Sequence, residues 1–321
     1  MEPYSIPLIL GAINAAYDCN KKGRLRGNLG PFFKDLTGIV TCDNASPFPF
    51  QHISVDHKEV HMKRWAVIPV FMILVLSLPA WADYWDAIEK SDYKTALKEL
   101  LPLAQKGDAE AQSCLADMYY KGKGVTQNYE EALKWCRKAA EQGDANAQYN
   151  LGWMYYEGQG VPQNYKEAVK WYRKAAEQGY AEAQGCLGFM YVKGRGVKQN
   201  YEKAFKWYTR AAEQGDANAQ YNLGLTYYKG KGVPQNYEEA IRWYTKAAEK
   251  GDAGAQYNLG WMYYDGKGVP QNYVKAYMWW CLAAAKGHSD ATHNRDILVK
   301  KMTPAQIAEA QKLASEWKPK K

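Results

Sequence analysis

The chain is poor in the residues that most active-site chemistry requires. Of its 321 residues, five are histidine and six are cysteine. Three histidines precede Met62, and the remaining two, His288 and His293, stand five apart and so do not share a helical face. No metal site is expected from them. Long apolar runs are missing as well. Residues 65–78 form an apolar stretch of 14 residues, short of the ~20 that a membrane-spanning helix needs. Charge of one sign is not concentrated anywhere. The net charge of +8 is spread over interleaved positions such as Lys166, Glu167, Lys170, Arg173, Lys174 and Glu177, the pattern of solvated helix faces. Without a basic block, a nucleic-acid partner is not expected.

What the chain has is a beat. Gly107, Gly143, Gly179, Gly215, Gly251 and Gly287 recur every 36 residues with no insertion or deletion. Five copies of one unit lie between them, over residues 108–287, and a fixed period of this length marks a stacked repeat array. The second copy reads DANAQYNLGWMYYEGQGVPQNYKEAVKWYRKAAEQG. Ala147, Leu151 and Tyr155 line one face of a first helix expected over 144–156. Ala168, Tyr172, Ala175 and Ala176 stripe a second helix expected over 165–178. Gly158 and Gly160 can take positive φ and end the first helix, Pro162 stops it from continuing, and Asn164 N-caps the second. The G-x-G pairs, from Gly122/Gly124 to Gly266/Gly268, follow helices and not strands, so they read as turns and not as nucleotide loops; no cofactor is expected. Gly152, Gly188, Gly224 and Gly260 sit in mid-helix, where glycine costs about 0.5–1 kcal/mol against alanine. A cost repeated four times implies a neighbouring helix that crosses close by; repeat one carries Ala116 there.

The recurring A-x-A-Q-Y-x-L-G-x-x-Y, G-x-G-V, Y-x-x-A and W-Y-x-K-A-A-x-x-G resemble the Sel1-like repeat, a relative of the tetratricopeptide repeat, over residues 83 to about 317. The resemblance implies an all-α, right-handed α-solenoid of stacked two-helix units with a concave groove, and a role as adaptor or scaffold. Residues 83–107 read as a partial N-terminal cap, because Tyr93, Ala96 and Gly107 stand one period before Tyr129, Ala132 and Gly143. Residues 288–321 read as capping helices, with Thr303 and Pro304 starting the last. Some relatives carry regular cysteine pairs that staple each repeat. This chain lacks that pattern; Cys114 with Cys136, inside one repeat, is the pair close enough to consider, since Cys114 and Cys186 lie two repeats apart.

Met62-Lys63-Arg64, the apolar run after it and Ala80-Trp81-Ala82 resemble a bacterial signal peptide over 62–82, cut after Ala82. The protein is then periplasmic or secreted, with no stable membrane insertion after cleavage; a signal anchor is the rival reading. Residues 1–61 would be a misassigned or disordered extension, with Met62 the true start.

If the units stack as in tetratricopeptide arrays, positions 6, 7, 10 and 13 of each repeat face the groove. These are Tyr149, Asn150, Trp153 and Tyr156 in repeat two, Tyr221, Asn222, Leu225 and Tyr228 in repeat four, and Tyr257, Asn258, Trp261 and Tyr264 in repeat five. Repeat three substitutes Gly185, Cys186, Phe189 and Val192. Aromatic rings offer contact area at low entropic cost, and asparagine both donates and accepts, as an extended peptide requires. Position 10 varies (Asp117, Trp153, Phe189, Leu225, Trp261) while the leucine at position 8 does not, which separates surface from core within one chain. The expected function is therefore a non-catalytic, monomeric adaptor for a protein or peptide. Two alternatives stand beside it. One is a purely structural envelope scaffold. The other is a β-lactamase-like hydrolase, which the resemblance to cysteine-rich Sel1 relatives implies; Ser91-Asp92-Tyr93-Lys94 fits S-x-x-K, but its S-D-N and K-T-G companions are missing and the stretch is a phase copy of Asn128-Tyr-Glu-Glu.

Overall fold

The computed structural model describes residues 81–319. The expected extension 1–61 and the leader through residue 80 lie outside the described residues. Among the described residues the chain is helical throughout, with no strand. An N-terminal pair, α1 (Trp81–Glu89) and α2 (Tyr93–Gln105), leads into five two-helix repeats: α3 (Ala109–Lys121) with α4 (Tyr129–Glu141), α5 (Ala145–Glu157) with α6 (Tyr165–Glu177), α7 (Ala181–Lys193) with α8 (Tyr201–Glu213), α9 (Ala217–Lys229) with α10 (Tyr237–Glu249), and α11 (Ala253–Asp265) with α12 (Tyr273–Ala285). Then come α13 (Ser289–Leu298), a single 3-10 turn (Val299–Lys301) and α14 (Pro304–Glu316). From α1 to α13 each helix packs on the one before it, which is the stacking of a solenoid, and α14 folds back onto α12. The expected signal-peptide cut after Ala82 would fall in the first turn of α1.

The caps explain the boundaries. Asp108, Asp144, Asp216 and Asp252 each accept a hydrogen bond from the backbone N–H three residues on, at 2.6–2.7 Å, so each first helix starts one residue later than its aspartate. Tyr180 and His288 stand at the same phase and provide no side-chain cap. Asn128, Asn164, Asn200, Asn236 and Asn272 cap the second helices in the same way. Gly158 ends α5 at φ 77°, in the left-handed region. Gly160, at φ 69°, has a second constraint: a Cβ there would lie 2.4 Å from the Tyr129 carbonyl oxygen, so the turn of one repeat rests on the start of the second helix of the repeat before.

The mid-helix glycines meet the expected crossing. A Cβ on Gly152, Gly188 or Gly224 would come within 2.7 Å of the ring of Tyr172, Tyr208 or Tyr244, and one on Gly260 within 2.2 Å of Trp280. The aromatic residue belongs to the second helix of the same repeat. In repeat one, Ala116 faces the same phase, which there holds the smaller Cys136. Cys136 is buried and its Sγ donates to the Ala147 carbonyl at 3.2 Å; it does not bridge to Cys114, and all four cysteines of the described residues are free thiols. Burial pushes the Cys114, Cys136 and Cys186 thiols up to about 12, away from the reactive thiolate.

Glutamine stitches neighbouring repeats. The Nε2 groups of Gln112, Gln148 and Gln184 donate to the carbonyls of Ala104, Ala140 and Ala176, and their Oε1 atoms accept from Gln142, Gln178 and Gln214 at 2.8 Å. In the last two repeats the outer partner is lysine. Lys250 and Lys286 donate to the carbonyls of Gly215 and Gly251 instead, and Gln220 Oε1 and Gln256 Oε1 are left buried without a partner.

At the C-terminus, α14 closes the array. Thr303 and Gln306 form a reciprocal capping box, Ala310 is buried against the cluster of Tyr277 and Trp280, and Trp317 meets Trp279 edge-on at 6.4 Å.

Candidate functional site

The first helices of repeats two, three and four frame a cleft of about 380 Å³. Of the residues singled out from the sequence, Tyr149, Trp153 and Tyr156 on α5 and Asn222 on α9 line it; Phe189 on α7 joins them. Trp153 is one of four exposed large apolar side chains among the described residues, at 36%, which makes it available for contact without any rearrangement. Its ring stacks on Tyr156 at 5.9 Å, and its indole N–H donates to the Tyr120 hydroxyl at 3.1 Å. Tyr156 is held from the other direction. Its hydroxyl accepts from Arg195, whose guanidinium also lies 5.6 Å from the ring. Tyr149 is half-buried against Tyr180 at 5.3 Å, and burial raises its hydroxyl pKa above the ordinary tyrosine value. Three carboxylates complete the lining: Glu157, Glu182 and Asp216. Burial first, then the charge of Glu182, raises the Asp216 carboxyl above the ordinary aspartate value.

A second cleft of about 420 Å³ adjoins it, sharing Phe189 and Asn222. It lies between α7, α8 and α9, and Leu225, Lys193, Lys229 and Lys231 line it. The two clefts thus carry opposite charge.

The other expected residues are not brought into either cleft. Asn150 does not line them. Tyr221 packs on Tyr244 at 5.9 Å, and the Tyr244 hydroxyl is buried without a hydrogen-bond partner. Tyr228 meets Tyr237 at 5.4 Å, with Lys267 Nζ 3.5 Å from its hydroxyl. In repeat five the aromatic set is enclosed by the C-terminal elements. Tyr257 stacks on His288 at 4.4 Å, Trp261 lies half-buried edge-on to Trp280 at 5.4 Å, and the Tyr264 hydroxyl accepts from Lys301 at 2.5 Å. Trp153 and Trp261, equivalent in sequence, therefore differ in setting.

The tyrosines at position 13 also do a structural job. Tyr120, Tyr156 and Tyr228 each hydrogen-bond to the residue 39 further on, namely Gln159, Arg195 and Lys267. Sequence reasoning passed over Glu157, Glu182 and Asp216. The signal that leads to them is the departure of repeat three from its sisters, at Tyr180, Gly185 and Phe189.

The serine of S-x-x-K is exposed in the turn between α1 and α2, at φ 59°, while Asp92 beside it N-caps α2. That is the geometry of a turn and not of a buried nucleophile. Among the described residues no group of three or more His, Cys, Asp or Glu is placed to hold a metal ion, and no helix is long and apolar enough to cross a membrane.

Stacked helix pairs joined by G-x-G turns, with open clefts on the first helices, define a tetratricopeptide-like α-solenoid, a class that works through surfaces. The family model described as Sel1 repeat matches residues 109–144, 145–180, 181–216, 217–252 and 253–288 in unbroken succession, and the chain belongs to this family. Among solved structures it is similar to a Sel1 repeat protein from Oxalobacter formigenes, with 36% identity and a TM-score of 0.64, over 74% of this chain and 97% of that one. It is also similar to a protective antigen of uropathogenic Escherichia coli with the SLR fold, at 33% identity and a TM-score of 0.51, over 76% of this chain and 62% of that one. Comparison with curated proteins gives no match.

Proposed function

We propose that this chain is an exported, non-catalytic adaptor that binds a segment of another protein on the face of its first helices, and that it acts as a monomer. One observation carries the reading: Tyr149, Trp153, Tyr156, Phe189 and Asn222, drawn from three successive repeats, converge on one open cleft. Rings of this size supply contact area with few rotors to freeze, and an amide beside them can both donate to and accept from a peptide backbone. Membership of a repeat family whose members typically mediate protein–protein interaction supports the same reading. Export rests on the sequence of residues 62–82, and N-terminal sequencing of the native protein tests it: a first residue of Asp83 is expected.

The binding itself is tested by crosslinking capture from periplasm and culture medium with the parent chain and with Trp153→Ala. Loss of a selectively captured partner, at least tenfold, with an unchanged far-UV spectrum is the expected result, the scale of an interface anchor. Capture that is indifferent to Trp153→Ala rejects the cleft as the docking surface.

A further inference from the structure

The acidic cleft exists because one side chain is missing. At position 6 of the repeats the chain carries Ser113, Tyr149, Gly185, Tyr221 and Tyr257. Where tyrosine is present it fills the space against the next repeat. Tyr149 lies 5.3 Å from Tyr180, Tyr257 stacks on His288 at 4.4 Å, and Tyr221 is so near Gly254 that a Cβ there would sit 3.1 Å from its ring. At Gly185 nothing takes that place. A Cβ there would meet only Asp216 Oδ1 at 3.7 Å and Ala219 Cβ at 4.0 Å, ordinary contact distances. The resulting hollow has aromatic walls and three carboxylates, and no lysine, arginine or histidine lines it.

Its charge is only partly compensated: the Asp216 carboxylate accepts from the Ala219 N–H, and Lys250 lies near enough to act on it. None of the ion pairs among the described residues includes Glu157, Glu182 or Asp216. Burial raises the Asp216 carboxyl and the charge of Glu182 adds to it, against the Ala219 N–H and Lys250, which lower it. The walls suit the opposite charge. Tyr156 and Phe189 already hold the guanidinium of the chain's own Arg195 at 5.6 and 5.9 Å from their ring centres.

Resting on the docking reading above, we propose that this cleft seats a cationic side chain, a lysine or arginine presented by an extended segment of the partner protein. The apolar stem of such a side chain lies along Trp153 and Phe189, and its head sits between Glu182 and Asp216, the two carboxylates close enough to act on each other. The adjoining cleft, with Lys193, Lys229 and Lys231, repels the same group and so fixes which of the two hollows it enters.

The test is an NMR titration of the intact ¹⁵N-labelled chain with Nα-acetyl-arginine amide, following the Trp153 indole N–H, assigned by its absence in Trp153→Phe. The expected result is a saturable shift with a dissociation constant on the order of millimolar, as a single side chain provides, weakening as salt is added. Nα-acetyl-glutamate amide should leave the signal in place. Glu182→Gln should weaken arginine binding about threefold, the worth of one partly exposed charge partner. Gly185→Tyr, which restores the residue found at the sister positions, should abolish the shift without lowering the melting temperature. An equal response to the glutamate compound overturns the proposal, as does arginine binding that survives in Gly185→Tyr. Should Gly185→Tyr fold poorly, the double variant Glu182→Gln/Asp216→Asn, whose asparagine still caps α9, decides the matter: undiminished arginine binding there overturns the proposal, and its loss supports it. These outcomes are independent of the docking reading, which stands or falls on capture by Trp153→Ala.

Discussion

Gly152 and Tyr172 form a matched pair, and the chain contains its own control for the match. Three repeats join glycine to tyrosine and one joins glycine to tryptophan; repeat one joins Ala116 to Cys136, a larger residue on one helix met by a smaller one on the other. Helix propensity alone favours Gly152→Ala by about 0.5–1 kcal/mol. The ring of Tyr172, 2.7 Å from the new methyl, reverses the sign, because overpacking a filled core costs about 1–3 kcal/mol. Urea denaturation should therefore show Gly152→Ala to be destabilised. The double variant Gly152→Ala/Tyr172→Cys, which copies repeat one, should lose less than the sum of its parts by about 1 kcal/mol. Strict additivity would exclude the pairing. The sequence made the close crossing legible, since a repeated mid-helix glycine has few other causes. It did not make the partner legible, because which residue of the second helix meets Gly152 depends on the rotation of that helix within the pair. The same limit applied at Gly185: the glycine was visible, and the hollow beside it depends on three repeats at once.

At the scale of the element, the caps carried most of the information. Asp144, Asn164 and Gly158 each mark a boundary by supplying a hydrogen bond or a left-handed residue, and the structure moves those boundaries by about one residue. Cooperation between elements was less visible. The glutamines at one phase read as polar helix residues, yet they are buried, and each ties its repeat to the one before and joins the two helices of its own repeat. Lys250 and Lys286 interrupt this ladder, leaving Gln220 and Gln256 each with an orphaned acceptor. Lys250→Gln and Lys286→Gln should restore the bond made by Gln142, Gln178 and Gln214, each raising stability by about 1 kcal/mol. Thermal melting of the two variants checks this; a fall in melting temperature would show that the lysine-to-carbonyl contacts contribute more than the completed ladder.

For the molecule as a whole, stability accumulates along the stack, and the ends matter more than their length suggests. The fold was legible because an unbroken period leaves little choice of architecture, and the family match and the helical structure agree with it. The aromatic set of repeat five was not separable from that of repeat two, because its covering residues, His288 and Lys301, come from outside the repeat. Removing residues 289–321 should uncover Trp280, Tyr277 and the ring of Trp279, which α13, α14 and Trp317 now cover. The truncated chain is expected to melt several degrees lower and to self-associate, as an exposed apolar face of this kind does. Scattering coupled to gel filtration reads the association, and a truncated chain that stays monomeric with an unchanged melting temperature excludes a capping role for these helices. The seating of the turns adds a direction to this picture. Gly124 rests on Tyr93, Gly160 on Tyr129, and so on to Gly268 on Tyr237, while Tyr273 receives no such turn among the described residues. Every unit is thus a latch whose catch belongs to its predecessor. A module copied into the middle would engage both neighbours at once and leave every seam as it was, so the array can be lengthened from within without disturbing either end.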